Sequence, residues 1–194
     1  MKWTNEMIKQ IAMQQSALDA NCSVKDFICD KNMVIVSKEN ELARKYLKLP
    51  HVCNLISYGD NIVATISEKY RDIVEQYINK YPVEHCFETP NMHVLNDAFQ
   101  GLGFRVCFMA ACSADCETMW QIGVDVLPEY RRKGIASALT SRLAMEILER
   151  DKVPFYCCAW SNLKSARNAI KSGFRPAWVE MTVKSASTVD EMNM

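Results

Sequence analysis

What this 194-residue chain lacks narrows its chemistry before any motif is considered. It has no excess of either charge: 23 Lys plus Arg stand against 23 Asp plus Glu. No global basic field is available to hold nucleic acid or an anionic membrane, so any anion binding must be local. It has no apolar run approaching a membrane span, and the N-terminal MKWTNEMIKQIAMQQSALDA is interrupted by Glu6, Lys9, Gln10, Gln14 and Gln15, unlike a signal peptide. The expectation is a cytoplasmic protein with neither nucleic acid nor membrane as partner. It also lacks G-x-x-x-x-G-K-[ST] and G-x-G-x-x-G, which excludes a P-loop and a dinucleotide fingerprint.

A disulfide framework and a zinc site are excluded on similar grounds. Nine cysteines are an odd number without an export signal, so reduced thiols are expected. Cys107, Cys112 and Cys116 are spaced wider than a zinc knuckle, and His85, Cys86 and His93 lack a fourth ligand, so no metal is expected. Cys157 and Cys158, in PFYCCAW, read as small buried thiols on a strand.

What remains is an ordinary globular composition, 49% apolar and 24% charged, in one domain or two small ones. Helical spacing marks NEMIKQIAMQQSAL and SEKYRDIVEQYINKY. Between them, HVCNLISYGDNIVATIS reads as two strands joined at Tyr58-Gly59-Asp60-Asn61. VEHCF reads as a strand, NMHVLNDAFQ as a helix, FRVCFMAAC as a strand and MWQIGVDVL as another, ending at Pro128. A helix over 134–150 carries Ile135, Leu139, Leu143 and Ile147 every fourth residue. A strand over 154–160, a helix over 162–171 and a strand over 174–184 complete a mixed α/β order.

The densest chemistry lies in YRRKGIAS, 130–137, where three cations and a glycine precede a long helix. A helix start exposes backbone N–H groups and carries about half a positive charge. Gly134 lets an anion approach the backbone with no Cβ in the way, and Arg131, Arg132 and Lys133 surround it, so a pyrophosphate is the expected ligand.

VDVLPEYRRKGIASALTSRL resembles the acyl-CoA-binding motif of the GNAT superfamily of N-acetyltransferases, V-x-V-x-P followed by R/Q-x-x-G-x-G/A, through Arg131, Gly134 and Ala136. WSNLKSARNAIKSGF resembles that family's second motif, N-x-x-[SA] on a short helix with G-F at the next strand. The resemblance covers roughly 104–184. It implies the acyl-CoA N-acyltransferase architecture, a mixed and mostly antiparallel central sheet flanked by helices, with acetyl-CoA as co-substrate. It also implies that the backbone of Val124 to Val126 holds the pantetheine arm, that Arg131, Arg132, Lys133, Gly134, Ile135, Ala136 and Ser137 hold the pyrophosphate, and that Asn162 and Ser165 lie near the sulfur. Capping of the short helix is the other role open to Asn162 and Ser165. Asp125 is the first candidate base, although alternation turns it opposite to Val124 and Val126; Glu117 is the second. The family's usual Tyr acid is replaced by Ala169, leaving Ser165, Tyr156 or water to protonate the sulfur.

The expected division is 1–103 and 104–194. LNDAFQGLGFRVCFMA parallels ARNAIKSGFRPAWVEM, so the first part reads either as a degenerate GNAT-like half or as an unrelated α/β extension, in both cases without a second cofactor loop. The expected activity is acetyl transfer to a small-molecule or peptide amine of unspecified identity. A catalytically weak CoA-binding or sensor module on the same fold is the alternative, and a homodimer stays open.

Overall fold

The structure is a computed structural model that describes residues 3–107, 116–159 and 161–192. Contacts divide it into two compact units. One comprises residues up to Gln15, Leu42–Tyr46 and the described part of Met109–Ala177; the other comprises Ser16–Glu41 and the described parts of Leu47–Phe108 and Trp178–Met194. This grouping crosses the sequence boundary at 104, because chain segments before and after it share each unit.

The second unit is built on a five-stranded sheet of β1 (Met33–Val36), β2 (Cys53–Ser57), β3 (Val63–Ile66), β4 (Phe104–Cys107) and β7 (Val179–Ser185), in the order β1-β3-β2-β7-β4. Only β1 and β3 run parallel; the other three pairings are antiparallel. Helices α2 (Arg71–Ile78) and α3 (Asn91–Gln100) belong to the same unit. Leu55, Ile62, Ala64, Ile66, Val74, Ile78, Leu95, Phe99, Met181 and Val183 form one buried apolar cluster. Burial of that apolar surface is the main favourable term holding this unit together. Helix α6 (Ala186–Met192) follows β7, and Arg105 on β4 pairs with its Asp190 at 2.6 Å.

The first unit holds a two-stranded parallel sheet of β5 (Met119–Gln121) and β6 (Val153–Phe155), with α4 (Ile135–Glu149) connecting them and α5 (Leu163–Lys171) following. Asn168 Nδ2 donates to Thr140 Oγ1 at 3.1 Å and Ser141 Oγ donates to Ser172 O at 3.3 Å, which ties α5 to α4. The N-terminal helix α1 (Asn5–Ala20) divides between the units at Gln15. The preceding Trp3 donates its indole N–H to Leu148 O at 3.1 Å, within the first unit.

The architecture is the expected mixed α/β, with a mostly antiparallel central sheet and flanking helices. Five local readings are corrected. VEHCF is a 3-10 helix, Glu84–Phe87: the His85 and Cys86 N–H groups donate back to Pro82 O at 3.0 and 3.2 Å, and Tyr77 donates its hydroxyl to Cys86 O at 2.7 Å. The four-residue run MVIV, read over in the sequence, is β1. The stripe on α4 is not uniformly buried: Ile147 is, but Leu139 and Leu143 are exposed and Thr140 is buried instead, its hydroxyl bonded to Asn168. The last strand begins at Val179 rather than at 174. β6 ends at Phe155, so Cys157 and Cys158 are half-buried past its end rather than buried on a strand. The strand expected to run to Cys112 is seen as β4, and its remainder lies outside the described residues.

Candidate active site

Every candidate site residue falls in the first unit. Its sheet sets the geometry: β5 and β6 pair at Met119 with Val153, Trp120 with Pro154 and Gln121 with Phe155. Ile122 N–H to Phe155 O, at 2.9 Å, is the last rung. Beyond it the chain runs from Gly123 to Leu127 without a strand partner, so the strand expected to reach Leu127 ends at Gln121. Val124 and Val126 are half-buried and Asp125 is exposed, as their alternation requires. Val126 has its backbone occupied: its N–H donates to Asp125 Oδ1 at 2.8 Å and its carbonyl accepts Arg131 Nε at 2.8 Å. Among the described residues, the Val124 backbone has no such partner.

The basic loop leaves this strand through one 3-10 turn, Pro128–Tyr130, and reaches α4 through two left-handed residues, Arg132 at φ 64° and Gly134 at φ 78°. Only glycine takes that conformation without strain, and a Cβ built on Gly134 meets nothing within 4 Å, so the backbone there faces open space. The first helical bond runs from Ala138 N–H to Gly134 O at 3.1 Å, leaving the N–H groups of Ile135, Ala136 and Ser137 ahead of the helical ladder. Ser137 Oγ donates back to Gly134 O at 3.0 Å and steadies this turn.

The three cations are not equally mobile. Arg131 braces Val126 O and lies 3.7 Å from Asp125, while Lys133 Nζ sits 5.3 Å from the centre of the Tyr130 ring. Among the described residues Arg132 has no hydrogen-bond or ion-pair partner and Lys133 has only the Tyr130 ring, so these two charges are left for a ligand.

At the other side of the opened pair, Asn162 Oδ1 accepts the Ser165 N–H at 3.1 Å and caps α5. That leaves the Ser165 hydroxyl for another partner, the Tyr156 hydroxyl at 2.8 Å. The Tyr156 ring packs against Phe174 with centroids 6.0 Å apart, which fixes the phenol beside the first turn of α5. Ala169 brings no polar atom of its own to this side.

The two candidate bases differ in what holds them. Asp125 has 91% of its side chain exposed and is tethered by the Val126 N–H and Arg131. Glu117 is exposed, and its backbone carbonyl accepts the Lys152 ammonium. Sequence reasoning passed over Gln121, whose Oε1 is buried without a hydrogen-bond partner at the last paired position of β5. A buried orphan acceptor costs about 1–3 kcal/mol unless a donor reaches it. Its only signal in the sequence is a polar residue inside the apolar run MWQIGV.

Residues 98–177 match the family model of the GNAT acetyltransferase. This segment is similar to the GNAT acetyltransferases. The match spans the opened β5/β6 pair, the basic loop, α4 and α5, so the elements just described lie within the matched segment. No curated protein and no solved structure matches the chain.

Proposed function

We propose that the protein is an acetyl-CoA-dependent N-acetyltransferase that acetylates an amine on a small molecule or peptide by direct attack on the thioester. The observation that carries this reading is Gly134: left-handed, open to solvent and set at the start of α4, at the end of the loop that follows β5. The residues present fit acetyl-CoA. The N–H groups of Ile135, Ala136 and Ser137 with Arg132 would hold the pyrophosphate, and the unpartnered Val124 backbone would hold the pantetheine arm. When bound, acetyl-CoA supplies an activated acyl group, so no nucleophilic side chain is required.

The chain's own groups would divide the remaining work. Val124 N–H is an available donor to a carbonyl in the opened strand pair, in place of a side-chain oxyanion hole. Asp125 or Glu117 would take a proton from the amine, and the Tyr156 and Ser165 hydroxyls would return one to the departing sulfur. The Gln121 carbonyl oxygen would accept an N–H from whatever enters the opened pair. Thiol release from acetyl-CoA across a panel of primary amines tests the activity. Turnover with at least one amine supports it, whereas CoA binding without turnover on any amine would mark a binding or sensor module.

A further inference from the structure

A cavity of about 250 Å³ lies wholly within the second unit, at the carboxyl ends of the parallel strands β1 and β3. In open α/β sheets that end of a parallel pair is where ligands are commonly received. Its walls divide by character. Val36, Val52 and Tyr70 give an apolar side, and Ser37, Ser67 and Lys69 a polar one.

The two charged residues at its mouth are held differently. Glu68 also lines the cavity, but its carboxylate is clasped by Arg71, with Nε on Oε1 and Nη2 on Oε2, both at 2.9 Å. This two-point clasp holds the Glu68 carboxylate in place, although Arg71 is shared with Glu75 at 3.1 Å. The neighbouring Lys69 has no carboxylate partner among the described residues; its ammonium rests 4.7 Å from the centre of the Tyr70 ring. The Ser67 hydroxyl makes no cap bond to the helix it precedes, so it is available as a donor. Ser37 Oγ already accepts the His51 N–H at 2.7 Å, which leaves its own hydrogen to give.

We propose that this cavity is a binding site for a small organic monocarboxylate, separate from the acetyl-transfer site and independent of that reading. Lys69, the lining cation, has no carboxylate bonded to it and matches one negative charge, the Ser37 and Ser67 hydroxyls supply hydrogen bonds to that charge, and the apolar wall takes a short hydrocarbon body. A phosphate dianion would find too little positive charge and no use for that wall.

The test is titration of the full chain with butyrate, followed by NMR in the presence of saturating CoA. Saturable shifts at Val36, Val52 and Ser67 to Tyr70 are expected. Lys69→Met weakens binding about tenfold or more and Lys69→Arg restores most of it, as expected for loss of one charge-assisted contact. Lys69 is exposed, so neither change threatens the fold. Absence of saturable binding, inorganic phosphate binding more tightly than butyrate, or equal affinity in Lys69→Met would each overturn the proposal.

Discussion

The Tyr156 phenol oxygen lies 2.8 Å from Ser165 Oγ, joining the exit of β6 to the first turn of α5. Both hydroxyls stand beyond the last rung of the parallel pair, where the chain has no ladder to complete. Two hydroxyls in contact pass a proton as a unit, so their removal should not be additive. Tyr156→Phe and Ser165→Ala are each expected to lower kcat about tenfold, below the usual range of roughly 10²–10⁴ for a general acid or base, with little change in the KM for acetyl-CoA. The double variant should fall no further than the worse single one. Steady-state kinetics on all three variants check this.

The base should matter more than the acid. An amine like that of Lys, with pKa about 10.4, is only about 0.04% neutral at pH 7, whereas a thiol near 8.5 leaves tolerably as an anion. Whichever of Asp125→Asn or Glu117→Gln removes the base is expected to cut turnover about 10²-fold or more and steepen the rise of rate with pH. Ala169→Tyr should raise turnover about tenfold or less. A large gain from Ala169→Tyr with no loss from either carboxyl change would sink the base-dominated mechanism.

How much of this was legible in the sequence depended on whether a residue's role was local. Gly134 and the helix after it could be read directly, because a glycine between cations and an amphipathic run has few local alternatives. The separation of β5 from β6 could not be read from periodicity, since Val124 to Val126 alternate like any strand. The unequal roles of Arg131 and Arg132 were hidden because adjacent cations look alike until Val126 O claims one of them. VEHCF misled through composition, as its backbone turns back onto Pro82 O and its Cys86 carbonyl is held by the Tyr77 hydroxyl nine residues away. Gln121 became conspicuous only when its burial was known.

The arginines give a separable pair of effects. Arg131→Ala frees Val126 O and loosens the strand end, so it should lower kcat while also weakening acetyl-CoA. Arg132→Ala removes an uncommitted charge and should mainly raise the KM for acetyl-CoA, by about threefold to tenfold, with the gap narrowing as salt is added. Kinetics at two ionic strengths distinguish them.

Buried thiols make stability fall in mild alkali. Desolvation raises the Cys86 thiol from its ordinary 9.0 to about 11, and raises that of Cys53 as well. The folded chain therefore keeps protons that the unfolded chain releases above about pH 9, so this stability is complete below pH 9 and is lost as pH climbs toward 11. Urea midpoints should decline over that interval, and the decline should be shallower in a Cys53→Ala, Cys86→Ala double variant. An unchanged slope would contradict the assignment.

Acetyl-CoA is expected to bind at the turn where Gly134 starts α4, and calorimetric titration of acetyl-CoA into wild type and Gly134→Glu is the decisive experiment. Gly134→Asn is the control, because Asn tolerates the left-handed φ of 78° better than Glu and adds no charge. Wild type should bind one acetyl-CoA per chain, Gly134→Asn should bind more weakly, and Gly134→Glu should show no measurable heat of binding while still unfolding cooperatively. Binding by Gly134→Glu with wild-type affinity would contradict the account, as would a stoichiometry of two.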